Sequence, residues 1–178
     1  MMRKLKRIFL LSILATGVGL AWLYLEQVDP PAPISVPIIG QVDRIIIEKS
    51  ARKMTMYQGD KPVREYAVAL GFAPDGDKSI QGDGKTPEGI FKIDRRNQNS
   101  KYTLSLGIDY PKADDIARAR AGGYDPGGDI FIHGQPNKVA EGYKVKGDWT
   151  AGCIAVTNPE IREIWNVTPM STIVEIRS

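Results

Sequence analysis

Between Val42 and Ile176 the apolar residues fall into short runs broken by turn residues, and a chain written this way must build a sheet. Val42-Asp43-Arg44-Ile45-Ile46-Ile47 is followed by a turn near Lys49-Ser50 and then by Lys53-Met54-Thr55-Met56-Tyr57. A turn at Gln58-Gly59-Asp60 leads into the run from Val63 to Leu70, so two hairpins in sequence predict an antiparallel sheet. Further strands are expected at Gly89 to Ile93, Asp129 to His133, Ile154 to Val156 and Thr172 to Ile176. Helical signals are fewer. Pro111 to Ala121 reads as a helix with Ala113, Ile116, Ala117 and Arg120 on one face and Gly122-Gly123 as its stop. Thr157-Asn158-Pro159-Glu160 opens another, because Thr157 or Asn158 can cap it and Pro159 fits the first turn, where a missing N–H costs nothing. The expected fold is mainly β with one or two helices.

A different kind of segment precedes this domain. Arg3, Lys4, Lys6 and Arg7 are followed by an apolar run from Ile8 to Leu25. As a helix that run reaches about 27 Å, close to the hydrocarbon thickness of a bilayer. It ends in Trp22-Leu23-Tyr24-Leu25-Glu26 without a small-x-small cleavage site, which favours a retained signal-anchor over residues 1–28. Cleavage would instead release a secreted domain. The basic end should stay in the cytoplasm, so the membrane is a partner through this N-terminal helix and the rest lies outside. Residues 29–39, rich in proline, form a linker, and residues 40–178 form the folded domain. The four basic residues near the start account for the formal charge of +3, and the remainder is close to neutral. Nucleic acid is therefore excluded as a partner, since no concentrated basic face exists to release counterions.

Two segments imitate ligand loops. Ser79-Ile80-Gln81-Gly82-Asp83-Gly84-Lys85-Thr86 lacks the first glycine of a P-loop, and Pro87 and a strand follow where phosphate needs a helix N-terminus. Asp75 to Thr86 has Ile80 and Thr86 where a calcium loop requires glycine and a bidentate glutamate. Both read as a solvated loop, and no metal or other cofactor is expected.

The chain contains one cysteine, Cys153, and one histidine, His133. In an exported chain a lone cysteine is a buried small hydrophobe, a partner for another chain, or a reactive thiol. A thiol becomes a strong nucleophile as thiolate, and imidazole is the usual means of producing it. His133 ends an apolar strand beside Gly134, and Cys153 follows Gly152 at a loop-to-strand junction. A glycine at that place lets substrate approach closely and lets N–H groups face a developing oxyanion. Composition alone leaves the inert reading open, because single cysteines and histidines are more often structural. Catalytic zinc would need more histidines than one, and no serine sits in a glycine elbow.

Gly128-Asp129-Ile130-Phe131-Ile132-His133-Gly134, followed by Asp148-Trp149-Thr150-Ala151-Gly152-Cys153-Ile154-Ala155-Val156, resembles the signature of the YkuD-type L,D-transpeptidase family. Lys85-Thr86-Pro87-Glu88-Gly89-Ile90-Phe91 is similar to its upstream motif, and within the family the Asp-Trp-Thr form resembles one branch of murein L,D-transpeptidases and related amidases. The resemblance implies a β-sandwich-like catalytic domain and, as substrate, peptidoglycan stem peptides. It implies that Cys153 attacks the diaminopimelate carbonyl of a tetrapeptide stem and expels D-alanine. The acyl group then passes to an amine of another stem, to a wall-linked lipoprotein, or to water. Carried over by position, Cys153 is the nucleophile, His133 the base, Gly152 and Cys153 N–H groups the oxyanion donors, and Thr150 the support of the loop and the histidine. Gly134, Trp149 and Tyr110 are candidate contacts for the stem. The implied location is the periplasm, anchored in the inner membrane. Many members have histidine, arginine and an acid where this chain has Ala151, Ala155 and Asn158. His133 then has no competing imidazole, a fixed cation is missing near the site, and the choice between transferase and hydrolase stays open, as does a non-catalytic wall-binding module.

Overall fold

The computed structural model describes residues 36–178, and its compact unit runs from Ile38 to Ser178. The expected anchor over 1–28 and most of the 29–39 linker lie outside the described residues. Among those described, no helix is long and apolar enough to cross a membrane. The strands in chain order are β1 (Arg44–Glu48), β2 (Lys53–Gln58), β3 (Lys61–Ala67), β4 (Gly89–Asn97), β5 (Ser105–Ile108), β6 (Phe131–His133), β7 (Ile154–Ala155) and β8 (Ile173–Arg177). Two helices, α1 (Ala113–Gly122) and α2 (Asn158–Val167), complete the described elements.

The strands form one sheet in the order β3-β2-β1-β8-β4-β5-β6-β7. The hairpins β1-β2 and β2-β3 are antiparallel as the turns require. The purely antiparallel expectation needs correction, however, because β1 pairs β8 in parallel and β6 pairs β7 in parallel. Parallel pairing needs a crossover, and no local turn signal announces it. The C-terminal strand β8 thus enters the middle of the sheet, between β1 and β4.

β4 is the hinge of the sheet. Its first half pairs β8 and its second half pairs β5, with a register shift between Ile93 and Arg95. A bulge bends a strand and strengthens its twist, so the two halves of the sheet fold towards each other. Beyond β3 the chain continues to the opposite end of the sheet, where Ala69 bridges Ala155 and Gly71 bridges Thr150. Ala69 and Ala155 exchange backbone hydrogen bonds at 2.9 and 2.8 Å, and Thr150 N–H donates to Leu70 O at 3.1 Å. The sheet is thereby curled, its far edges stitched through residues 69–72 and the segment before β7. Ile45, Ile47, Met54, Ile93, Leu106 and Ile132 fill the enclosed core.

α2 matches its sequence signal. Thr157 Oγ1 accepts from Glu160 N–H at 3.4 Å, and Glu160 accepts from Thr157 N–H at 2.7 Å. The buried Ile161 and Ile164 seal the helix on the core. α1 starts at Ala113, two residues later than expected, and the inward residue is Ala119 while Ile116 stays exposed. An Ala-rich, highly charged helix has too weak an apolar stripe for its seated face to be read from sequence.

Candidate active site

His133 closes β6, and Cys153 immediately precedes β7, whose Ile154 and Ala155 stand opposite Ile132 and His133. Paired residues share a face and alternate residues return to it, so His133 and Cys153 project from the same side of the sheet. They are diagonal neighbours across the parallel β6–β7 pair.

His133 is 4% exposed. Its Nδ1 lies 2.7 Å from Gly134 O. A carbonyl can only accept, so Nδ1 carries the proton and Nε2 is left as the basic nitrogen. Tyr102 stacks on the imidazole with centroids 4.5 Å apart, and Trp149 meets it edge-on at 5.7 Å. Burial lowers the imidazole pKa from its usual 6.5, against the opposing effect of the Gly134 hydrogen bond. The ring is thus neutral at neutral pH and able to take a proton.

The Cys153 thiol donates to Asp129 O at 3.5 Å. Asp129 reaches that position through a left-handed backbone, φ 54°. Burial pushes the thiol above its usual 9.0, and the Asp129 charge adds to this, while the Phe131 N–H and the Lys78 charge pull it down. The directions of these two shifts leave the cysteine as a thiol and the histidine as a neutral imidazole at neutral pH.

The cysteine loop is fixed by its own motif residues. Asp148 accepts from Arg52 Nε and Nη2 at 3.0 and 2.9 Å and from Leu70 N–H at 2.9 Å. Thr150 Oγ1 donates to Cys153 O at 2.7 Å and accepts from Gly152 N–H at 3.1 Å. Thr150 therefore braces the loop, and the Gly152 N–H is engaged by that hydroxyl instead of standing free beside the Cys153 N–H. Gly152 has φ +135°, and a Cβ there would lie 2.6 Å from Lys85 O. Both facts demand glycine.

Cys153 opens into a cleft of about 550 Å³ whose lining includes Lys78, Gln81, Asp125, Asp129 and Ala151. Two of the candidate stem contacts are not among the residues that line this cleft. Tyr110 is 4% exposed, packs edge-on against Phe91 and donates its hydroxyl hydrogen to Pro126 O at 3.1 Å. Core packing has taken it out of reach of a ligand. Gly134 is buried, and a Cβ on it would lie 2.6 Å from Asn158 Oδ1 and 2.9 Å from Ile161 Cγ2. Its place is against α2, with its carbonyl orienting His133. Trp149 is half-buried, and its Nε1 is buried without a hydrogen-bond partner among the described residues.

The solvated-loop expectation for residues 75–86 holds in part: Asp75, Gly76, Asp77, Ile80, Gln81 and Gly82 are exposed, while two lysines tie the loop to the fold. Lys49 Nζ donates to Gly76 O at 2.6 Å, Thr86 O at 3.0 Å and Glu88 Oε1 at 2.8 Å, which ties the loop to β1. Lys78 is 2% exposed and donates to Asp83 Oδ1 at 2.8 Å and Ile80 O at 3.0 Å. Burial works to raise the Asp83 pKa, but Lys78 and the N–H groups of Ser79, Ile80 and Lys85 bring it down to about 2. Repeated Asp and Gly mark a turn equally well in solvent or folded on itself, so composition could not separate the two.

The model of the YkuD L,D-transpeptidase catalytic domain matches residues 42–176. The chain belongs to the YkuD family. YafK of Escherichia coli (strain K12), which carries the name of an L,D-transpeptidase, is 37% identical over 93 residues, 51% of this chain and 30% of YafK. The helical cell shape determining protein Pgp2 of Campylobacter jejuni is 26% identical with a TM-score of 0.59, covering 84% of this chain and 52% of Pgp2. An L,D-transpeptidase of Xylanimonas cellulosilytica shares the fold at a TM-score of 0.50 and 15% identity, over 79% of this chain and 63% of that one. This YkuD chain thus spans about half the length of Pgp2 and less than a third of YafK. Within its YkuD domain, the residues that sequence reasoning missed are Tyr102, Asp129 and Lys78. Tyr102 had no signal, lying outside any motif; Asp129 and Lys78 stood inside segments already singled out.

Proposed function

We propose that this protein is a cysteine-dependent L,D-transpeptidase acting on peptidoglycan stem peptides outside the cytoplasmic membrane, in cell-wall remodelling and the maintenance of cell shape. The observation that supports the reading is the neutral His133, its Nδ1 proton fixed by Gly134 O at 2.7 Å, on the strand paired with the one that follows Cys153, while Cys153 itself lines the cleft. In the acylation step His133 Nε2 takes the thiol proton as Sγ bonds to the diaminopimelate carbonyl carbon. The tetrahedral oxyanion collapses, the C–N bond to D-alanine breaks, and His133 returns the proton to the departing amine. The Cys153 N–H is the backbone donor assigned to the oxyanion, because the Gly152 N–H is held by Thr150 Oγ1. In deacylation an amine of a second stem, or of a wall-linked lipoprotein, attacks the thioester with His133 again as base. Water in the same place gives hydrolysis by the same acyl-enzyme, and the absence of the arginine at Ala155 favours keeping that reading. Similarity to a cell shape protein, Pgp2, supports the wall as the setting, and the basic-apolar N-terminus supports an anchored, periplasmic enzyme.

Incubating the protein with tetrapeptide muropeptides, with and without an amine acceptor, and weighing the products tests this. Transpeptidation gives a crosslinked product that grows with acceptor, hydrolysis gives the tripeptide alone, and Cys153→Ala gives neither. Retained turnover in Cys153→Ala would remove the reading.

A further inference from the structure

Two buried lysines organise the loop before β4, and they differ in one respect. Lys49 has three ammonium donors and three acceptors, Gly76 O, Thr86 O and Glu88 Oε1, all within 3.0 Å. It is a finished staple. Lys78, equally buried, has two acceptors, Asp83 Oδ1 and Ile80 O, at 2.8 and 3.0 Å. Its third donor has none among the described residues, and its side chain lines the Cys153 cleft. Leaving a buried ammonium short of an acceptor is costly unless something supplies one. The other charges of the lining are acidic and already engaged: Asp129 pairs with Arg95 at 3.0 Å, and Asp125 accepts from Gly127 N–H at 2.8 Å. Lys78 is thus the cation of the cleft, held rigidly by Asp83, whose carboxylate is itself fixed by the N–H groups of Ser79, Ile80 and Lys85.

We propose that Lys78 binds the free carboxylate of the amino acid on the departing side of the scissile bond. The proposal rests on Cys153 being the nucleophile of a peptide acyl transfer. A terminal residue places its carboxylate about one residue length, ~3.8 Å, beyond the carbonyl under attack, so a cation sharing the cleft with the sulfur can receive it. The enzyme then prefers donor stems whose departing residue ends in a free carboxylate over stems extended or capped at that point. The ammonium fills its third donor and the carboxylate gains a charge-assisted hydrogen bond. The cation that relatives carry two residues after the cysteine is supplied from a different loop.

The test uses the full chain carrying Cys153→Ala, which binds without turnover. Two probes are titrated by calorimetry: the tetrapeptide L-Ala-γ-D-Glu-diaminopimelate-D-Ala and its C-terminal carboxamide. The acid should bind about 10- to 100-fold more tightly than the amide. Adding Lys78→Met should bring that ratio close to one, the acid losing far more affinity than the amide. Lys78→Gln, which keeps a donor for Asp83, serves the same purpose if the methionine variant unfolds. A ratio near one in the Lys78 protein, a ratio that survives both variants, or an equal loss for both probes overturns the proposal. Failure of the acyl-transfer reading shows separately, as absent turnover by the Cys153 protein while the binding ratio stands.

Discussion

A neutral imidazole beside a protonated thiol sets how this site responds to pH. Burial keeps His133 below its usual 6.5, so the ring remains a competent base into mildly acid solution. The acid limb of kcat/KM should therefore fall at a pH below 6.5, where protonation of His133 removes the base. The stability that goes with this depressed value is present above the unfolded imidazole's 6.5 and is lost as the pH falls through the folded one. Burial raises the thiol in the opposite direction, so alkylation of Cys153 by iodoacetamide in His133→Ala should have its midpoint above 9.0. A midpoint near 7 would mean that a thiolate preexists and that attack needs no base. Tyr102, stacked 4.5 Å from the imidazole, holds the ring orientation on which this chemistry depends.

At the scale of elements, the cysteine loop depends on partners remote in sequence. Asp148 joins Arg52, at the turn between β1 and β2, to Leu70 N–H beyond β3. Replacing Asp148 with alanine strips both partners at once. The expected cost is about 1.5–3 kcal/mol, read from denaturant unfolding. Activity should fall further than this destabilisation implies, because the loop that carries Cys153 loses its anchor. How far the elements could be read in advance follows the locality of their causes. The hairpin β1-β2, the Thr157–Glu160 capping box, the end of β6 at His133 and the start of β7 at Ile154 are specified by neighbours in sequence, and each stands where its residues indicate. β5 was not anticipated: it is short, carries Gly107 and is buried along its whole length, so no alternation marks it. Parallel pairings and the inward turn of the Lys78 loop depend on contacts across the fold. His133 and Cys153 could be singled out because the chain has one of each, whereas Tyr110 and Trp149 looked alike until packing buried the first and left the second at the imidazole.

For the whole molecule, closure of the sheet is also assembly of the site. Residues 69–72 run between the loop of Lys78 and the loop of Cys153. A Cβ on Gly71 would lie 2.1 Å from Gly84 O and 3.0 Å from Gly152 Cα, both backbone atoms with little freedom to yield. Gly71→Ala should therefore damage stability and function together, lowering the melting temperature and weakening carbapenem acylation of Cys153. A variant acylated at the wild-type rate would show that the cysteine loop does not depend on this seam. An outward substitution such as Ile90→Thr, on an exposed position of β4, should leave both unchanged.

The central place of β8 bears on how the chain reaches this state at all. β1 and β4 each wait for a partner encoded at the far end of the chain, Arg44 for Ile173 and Gly89 for Ile176. During synthesis, which proceeds from the N-terminus, the first hairpins can form early, but the sheet keeps an empty slot until β8 has emerged. Cys153 and His133 therefore do not sit on a finished scaffold while the chain is still emerging. The order of folding itself thus delays completion of the cleft around Cys153 until β8 has taken its place between β1 and β4.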